Sequence, residues 1–189
     1  MRKGATKTQK TQPMTLHLPS ASRAREALAH HEAGHAVAAL VTGGRFEYVT
    51  IKPDEKSGNL GHVWFAPDDS VAKDREEEKE RLRTDIVIDY AGVAAETRYA
   101  PDRRMPQFQD DFELAKQRAL RLHPRSARQR QATLGRLWRR AQRLVDRESR
   151  AITAVANALL ARETLSYDEV ELVITQAIHE ASRPRAVRR

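Results

Sequence analysis

Cysteine is absent from the 189 residues of this chain. Without cysteine the chain forms no disulfide and offers no thiolate to a metal ion, so any metal site must use histidine and carboxylate side chains. Aromatic residues make up only 5% of the sequence, which leaves the core to Ala, Leu, Val and Ile. The apolar fraction of 40% is still sufficient for one domain of this length.

Long apolar segments are also missing. No run of about 18 apolar residues is present, as a transmembrane helix would require. The N-terminal residues lack the apolar stretch of a signal peptide. These two absences favour a soluble, cytoplasmic protein without a membrane span.

The charge is unbalanced, with 34 basic residues against 26 acidic ones. Both ends of the chain, "MRKGATKTQK" and "SRPRAVRR", are rich in Lys and Arg. We therefore predict a flexible basic arm over residues 1–19, one globular domain over 20–181, and a basic tail over 182–189. Such ends are usually solvated, and no motif for specific nucleic-acid recognition occurs. Weak nucleic-acid binding through the tails is the minor alternative.

The pattern of apolar residues predicts a mainly α-helical fold with one small β-hairpin. The hairpin consists of "FEYVTIKP" and "LGHVWFAP", separated by a Gly/Asn/Asp-rich turn. Five helices surround it in sequence: one from Ser20 or Ser22 to Thr42, one from Ser70 to Pro101, one over 110–122, one beginning near Ser126, and one beginning at Ser166. The fourth is long enough to predict a kink or break. The last begins with the capping box Ser166–Glu169.

The stretch "LAHHEAGHAVAAL" (28–40) carries an H-E-x-x-H pattern on the first helix. His31 and His35 are four residues apart, so both imidazoles lie on one face and can bind one zinc ion. Glu32 lies beside the metal position, where a carboxylate can accept a proton from a zinc-bound water. His30 has no such partners and is interpreted as a surface or neighbouring residue. Gly34, unfavourable inside a helix, indicates close approach of another backbone or of a substrate.

A catalytic zinc needs a third protein ligand and keeps one position for water. The candidates by residue type are His62, Glu96, Asp110, Asp111 and His123. His62 alternates with Val63 in the predicted hairpin and is expected to face solvent, and His123 precedes Pro124 at a helix end. Spacing alone does not choose among the three carboxylates. The structural alternative, two histidines on an ordinary core helix, stays open at this point.

An ordered series of motifs resembles the peptidase domain of FtsH-type zinc proteases. The series runs "HEAGHA", "YVTIKP", "GHVWFAP", "YAGVAAE" and "DDFELAKQRA", and the closing "LARETLSYDEVELVI" is similar as well. The resemblance covers about residues 25–178. It implies a single zinc ion held by His31, His35 and Asp111, with Glu32 as the catalytic base. It implies that Glu96 and Asp110 lie next to the ligands without binding zinc.

The chain also departs from that family. No G-x-x-x-x-G-K-[ST] phosphate loop occurs in the sequence, so the ATPase module does not follow from the resemblance. "AGVAAE" stands where the family has "GGRAAE". The leading hypothesis is a zinc metalloendopeptidase that cleaves unfolded or flexible polypeptides. The alternatives are a catalytically silent zinc-binding interaction module and a peptidase subunit that works with a separate AAA+ unfoldase. A homo-oligomer is compatible with each of these.

Overall fold

The computed structural model describes residues 21–53, 60–65, 74–101 and 108–182. Within these residues the elements are α1 (Ala21–Val41), β1 (Tyr48–Thr50), β2 (His62–Trp64), α2 (Arg75–Tyr99), α3 (Phe108–Leu122), α4 (Ala127–Arg147), α5 (Ser149–Arg162), β3 (Thr164–Ser166) and α6 (Tyr167–Ser182). The mainly helical fold is therefore confirmed. The predicted arm over 1–19 lies outside the described residues, and so does the predicted tail from residue 183 onward. Ser182, predicted to begin the tail, is the last residue of α6.

Helix α1 passes through the middle of the domain and is buried on all sides from Ala27 to Ala39. A helix surrounded in this way needs small residues where its neighbours approach. A Cβ atom at Gly34 would lie 2.6 Å from the carbonyl oxygen of Ala91 and 2.8 Å from the Cβ of Ala95. Gly34 therefore allows α2 to pack closely against α1, which is the backbone approach that the glycine indicated.

The strands form an antiparallel sheet rather than an isolated hairpin. β1 pairs with β2 as predicted, with Val49 opposite Val63, and it also pairs with β3, where Val49 lies opposite Leu165. The predicted hairpin is present, and β3 adds a third strand that the sequence pattern did not indicate, because it is only three residues long and pairs with a strand more than a hundred residues earlier. The order β2-β1-β3 puts β2 at one edge of this sheet.

The remaining helices follow the predicted pattern with shifted boundaries. The long fourth helix is broken at Glu148, which separates α4 from α5. The capping box before α6 is formed: Ser166 Oγ accepts from the Glu169 backbone N–H at 3.3 Å, and Glu169 Oε2 accepts from that of Ser166 at 2.8 Å. The predicted start at Ser70 lies outside the described residues, and Asp74 caps α2.

The start of α3 packs against α2 and α4 through aromatic rings. Tyr90 on α2 lies with its ring centroid 5.5 Å from Phe112 and 5.3 Å from Trp138. Because Phe112 follows Asp111 directly, this cluster positions the carboxylate to which the family resemblance pointed. None of the helices in the described residues combines the length and apolarity needed to cross a bilayer.

Candidate metal centre

His31 and His35 lie one turn apart on α1 with their Nε2 atoms 3.0 Å from each other. The Nδ1 atom of His35 is 2.8 Å from the carbonyl oxygen of Ile88, which only accepts, so Nδ1 carries the proton. The Nδ1 atom of His31 lies 3.2 Å from Glu96 Oε2. When each imidazole carries its proton on Nδ1, the lone pairs of the two Nε2 atoms face each other at short range. A metal ion or an additional proton between them removes that repulsion.

Asp111 reaches the same point from α3. Its Oδ2 atom lies 3.1 Å from His31 Nε2 and 3.5 Å from His35 Nε2. Ligand atoms about 2.0–2.1 Å from a tetrahedral zinc ion are roughly 3.3 Å apart. The distances between these three atoms are similar, so the atoms match one triangular face of such a site. Oδ2 is buried and makes no hydrogen bond of good geometry. The two histidines and the aspartate therefore fit a metal ion, with His31, His35 and Asp111 as its ligands.

The electrostatics of the centre favour a positive charge. Burial disfavours a charged imidazole, but the nearby carboxylates of Asp111 and Glu96 outweigh it and raise the pKa of His31 to about 10. Burial also opposes ionisation of Asp111, yet the neighbouring His35 and His31 lower the pKa of its carboxyl group. The buried carboxylates thus stabilise positive charge at the Nε2 atoms, which is the condition for binding a cation.

Glu32 is placed beside the three ligand atoms and is almost completely buried. Burial raises the pKa of its carboxyl group, although the nearby His31 and His35 act in the opposite direction. Gly61, which precedes β2, packs against this side chain: a Cβ atom there would lie 3.0 Å from Glu32 Oε1. The carboxylate therefore lies between the metal position and the edge strand.

The two other carboxylates and His30 differ in how deeply they are buried. Glu96 is fully buried and contacts His31 Nδ1, so it orients that ligand rather than facing the metal position. Asp110 is exposed at the rim of the cavity. Of the two alternatives for His30, a surface residue or a neighbour of the ligands, the surface position is wrong, since His30 is 5% exposed. It stacks on Tyr99 with centroids 4.2 Å apart, and its Nδ1 bonds to the carbonyl of Glu26.

The two remaining histidine candidates are not part of the ligand set. His62 is half-buried beside Tyr48, whose hydroxyl is 3.3 Å from Nε2, so the expected solvent-facing position is only partly met. His123 at the end of α3 bonds to Thr133 on α4 at 3.0 Å. Neither side chain belongs to the group of ligand atoms that converge around His31, His35 and Asp111 in the described residues.

Two features of the centre were not predicted from the sequence. A Cβ atom at Gly92 would lie 2.2 Å from His35 Nε2, so only glycine leaves room for that imidazole. Asp89, 7% exposed, accepts two hydrogen bonds from Arg118 Nη1 at 3.0 and 2.7 Å, which ties α3 to α2. The available signals were a glycine inside a helix and an aspartate within the apolar run "IVIDYAGV".

The metal position opens into a cavity of about 270 Å³. The cavity is lined by residues from α1, β2, α2 and α3. A second cavity of about 860 Å³ adjoins it and shares Phe65, Ile88, Asp89 and Arg118 as walls. The two cavities therefore form one continuous depression beside the metal position.

Two histidines one helical turn apart and an aspartate from another helix form a group that could hold a metal ion, with a buried glutamate beside it. The model of peptidase family M41 matches residues 19–121, more than half of the chain. The chain therefore belongs to peptidase family M41, a family of zinc-dependent metallopeptidases, and the resemblance to FtsH-type peptidase domains is confirmed. The resemblance of the closing helices lies beyond the matched residues. A comparison with curated proteins finds no match.

Proposed function

We propose that this chain is a zinc-dependent endopeptidase that cleaves unfolded or flexible polypeptides. The observation that carries the proposal is the convergence of His31 Nε2, His35 Nε2 and Asp111 Oδ2 beside the buried carboxyl group of Glu32. A purely structural metal site has no use for an uncoordinated acid at this position. A hydrolytic site requires one, because a proton must be moved from water to the leaving amine.

The proposed roles follow from the placement of each group. Zinc bound by His31, His35 and Asp111 would supply Lewis acidity toward water and the scissile carbonyl. Glu32 accepts a proton from the attacking water, whose oxygen forms a bond to the carbonyl carbon. The same carboxyl group then delivers the proton to the amide nitrogen as the C–N bond breaks.

An extended peptide is the substrate shape that the surface supports. β2 is an edge strand of the sheet in the described residues, and Gly61, His62 and Val63 also line the metal cavity. A peptide that pairs with β2 as an additional strand would run directly past Glu32. Folded proteins do not present such a strand, so the proposed substrates are unfolded, short or flexible.

The test is Glu32→Gln in the full chain. The variant is expected to bind one zinc ion per chain with unchanged affinity and to lose hydrolysis of an unfolded, casein-type protein substrate. Zinc content is measured by elemental analysis and cleavage by mass spectrometry. Cleavage at the wild-type rate by the variant would contradict the proposal.

Wild-type protein that binds zinc but cleaves nothing would favour the silent module or the subunit of a separate AAA+ unfoldase. Affinity purification of the protein from its native source distinguishes these two possibilities. A stable complex with an ATPase indicates the subunit, and cleavage would then appear on adding that ATPase and ATP.

A further inference from the structure

The basic charge of this chain is concentrated in one folded segment as well as at the ends. Residues 121–150 contain ten arginines, no lysine and only two acidic residues, Asp146 and Glu148. The resulting excess of eight positive charges equals the formal net charge of the whole protein. This segment therefore forms a second basic region, separate from the ends of the chain.

Helix α4 brings six of these arginines to one side. At 3.6 residues per turn they fall within an arc of about 120°. We call this set the arginine face: Arg128, Arg136, Arg139, Arg140, Arg143 and Arg147. All six side chains are exposed. The face extends over roughly 29 Å, since each helical residue adds about 1.5 Å.

The arginine face is only partly neutralised. Arg140 lies 3.7 Å from Glu80, and Arg147 lies 2.7 Å from Glu148. Arg128, Arg139 and Arg143 have no acidic partner in the part of the chain that the structure describes. The one acidic residue of α4, Asp146, pairs with Arg98 of α2 instead.

This arrangement disfavours the helix that carries it. Like charges three and four residues apart, such as Arg136–Arg139 and Arg139–Arg143, repel each other. Arg128 is in the first turn, where the helix dipole is unfavourable to a cation and no acidic residue is present. The apolar residues that anchor α4, among them Leu137 and Leu144, lie on another side. The arginine face is therefore not explained by folding.

We propose that the arginine face binds the phosphate backbone of double-stranded nucleic acid without sequence preference. Guanidinium groups match phosphate oxygens in bidentate geometry, and a row of them complements a regular polyanion. The face has no apolar side chain larger than alanine. Protein interfaces have an apolar core, membrane-surface helices insert Leu, Phe or Trp, and single strands stack on aromatic rings. Backbone phosphates need only the charge.

The experiment measures fluorescence anisotropy of a labelled 20-base-pair DNA duplex, and of an RNA duplex of the same sequence, with the full chain at several salt concentrations. The variant R136Q/R139Q/R143Q is compared with R23Q/R75Q/R162Q, which removes the same charge from exposed sites outside the arginine face. For three lost phosphate contacts the slope of log K against log salt should become shallower by about 2–3. The control should keep the wild-type slope.

A third variant, R136K/R139K/R143K, keeps the charges and should retain most of the slope. Circular dichroism of each variant checks that α4 is folded. Equal binding by the glutamine variant and the control would overturn the proposal. So would duplex binding that disappears only when residues 1–19 and 183–189 are removed. A third result would also overturn it, in favour of a membrane surface. In that case the wild type binds no duplex but binds anionic phosphatidylserine vesicles, and the glutamine variant loses the vesicle binding.

Discussion

The two halves of the metal centre are held by different means. On α1, the side chains of His31, Glu32 and His35 come from one helical turn in the middle of the domain, and all three are buried. Asp111 comes from α3, and its side chain is 14% exposed. The aromatic contact of Phe112 and the pair Arg118–Asp89 hold that helix against α2. One half of the centre is thus determined by helix geometry and the other by helix docking.

The largest loss is expected from Gly92→Ala, which acts on the α1 half. The new methyl group would occupy the position of the His35 ring, 2.2 Å from Nε2, so the ligand must leave its place or the helices must separate. Overpacking of this kind costs about 1–3 kcal/mol of stability. Zinc affinity should fall by more than the roughly 10–100-fold typical of losing an outer hydrogen-bond partner. Competition with a fluorescent chelator measures it.

Gly135→Ala on α4 is the matched control, because the new Cβ atom would meet only Arg139 Nη1, at 3.8 Å. This variant should leave zinc affinity unchanged and raise stability by up to about 1 kcal/mol through helix propensity. If Gly92→Ala bound zinc as tightly as Gly135→Ala, the close fit around His35 would be irrelevant to the metal.

A smaller loss is expected from Asp111→Ala, which removes the α3 ligand but leaves His31 and His35 in place. Water can fill the vacated position, so the variant should retain weak zinc binding while losing peptidase activity. Asp110→Ala is the neighbouring control: its side chain is exposed, and its zinc affinity should equal that of the wild type. Isothermal titration with zinc distinguishes them. Equal affinities in the two variants would remove Asp111 from the ligand set.

The smallest effect is expected from Arg118→Gln, which loosens the docking of α3 without touching a ligand. The buried carboxylate of Asp89 would lose two hydrogen bonds, a change that costs about 1–3 kcal/mol of stability. Zinc affinity should fall modestly because Asp111 is less well positioned. Lys116→Gln disrupts an exposed pair with Glu113 on the same helix and should change stability by less than about 1 kcal/mol.

Thermal unfolding with and without zinc separates these variants. Arg118→Gln could lower the unfolding temperature only in the absence of zinc. That result would indicate that the metal, rather than the ion pair, sets the position of α3. An effect no larger than that of Lys116→Gln would show that the pair contributes nothing measurable to docking.

Much of the α1 half was predictable because local rules suffice there. The four-residue spacing places His31 and His35 together on any helix, and Gly34 indicated the close neighbour that proved to be α2. Residue type left the third ligand undecided among Glu96, Asp110 and Asp111. The family resemblance, rather than periodicity, pointed to Asp111. β3 was missed because three residues carry too little pattern to reveal a partner so distant in sequence.

The sequence by itself determined the helical class, the positions of two histidines and a glutamate on one turn, and the family. The helical class and the shared turn depend on periodicity and spacing, which act over a few residues, whereas the family follows from an ordered series of motifs. Tertiary structure decided which carboxylate joins the histidines, which one orients them, and why residue 92 has no side chain. These depend on how α2 and α3 pack around α1, and such contacts join residues that are tens of positions apart in the chain.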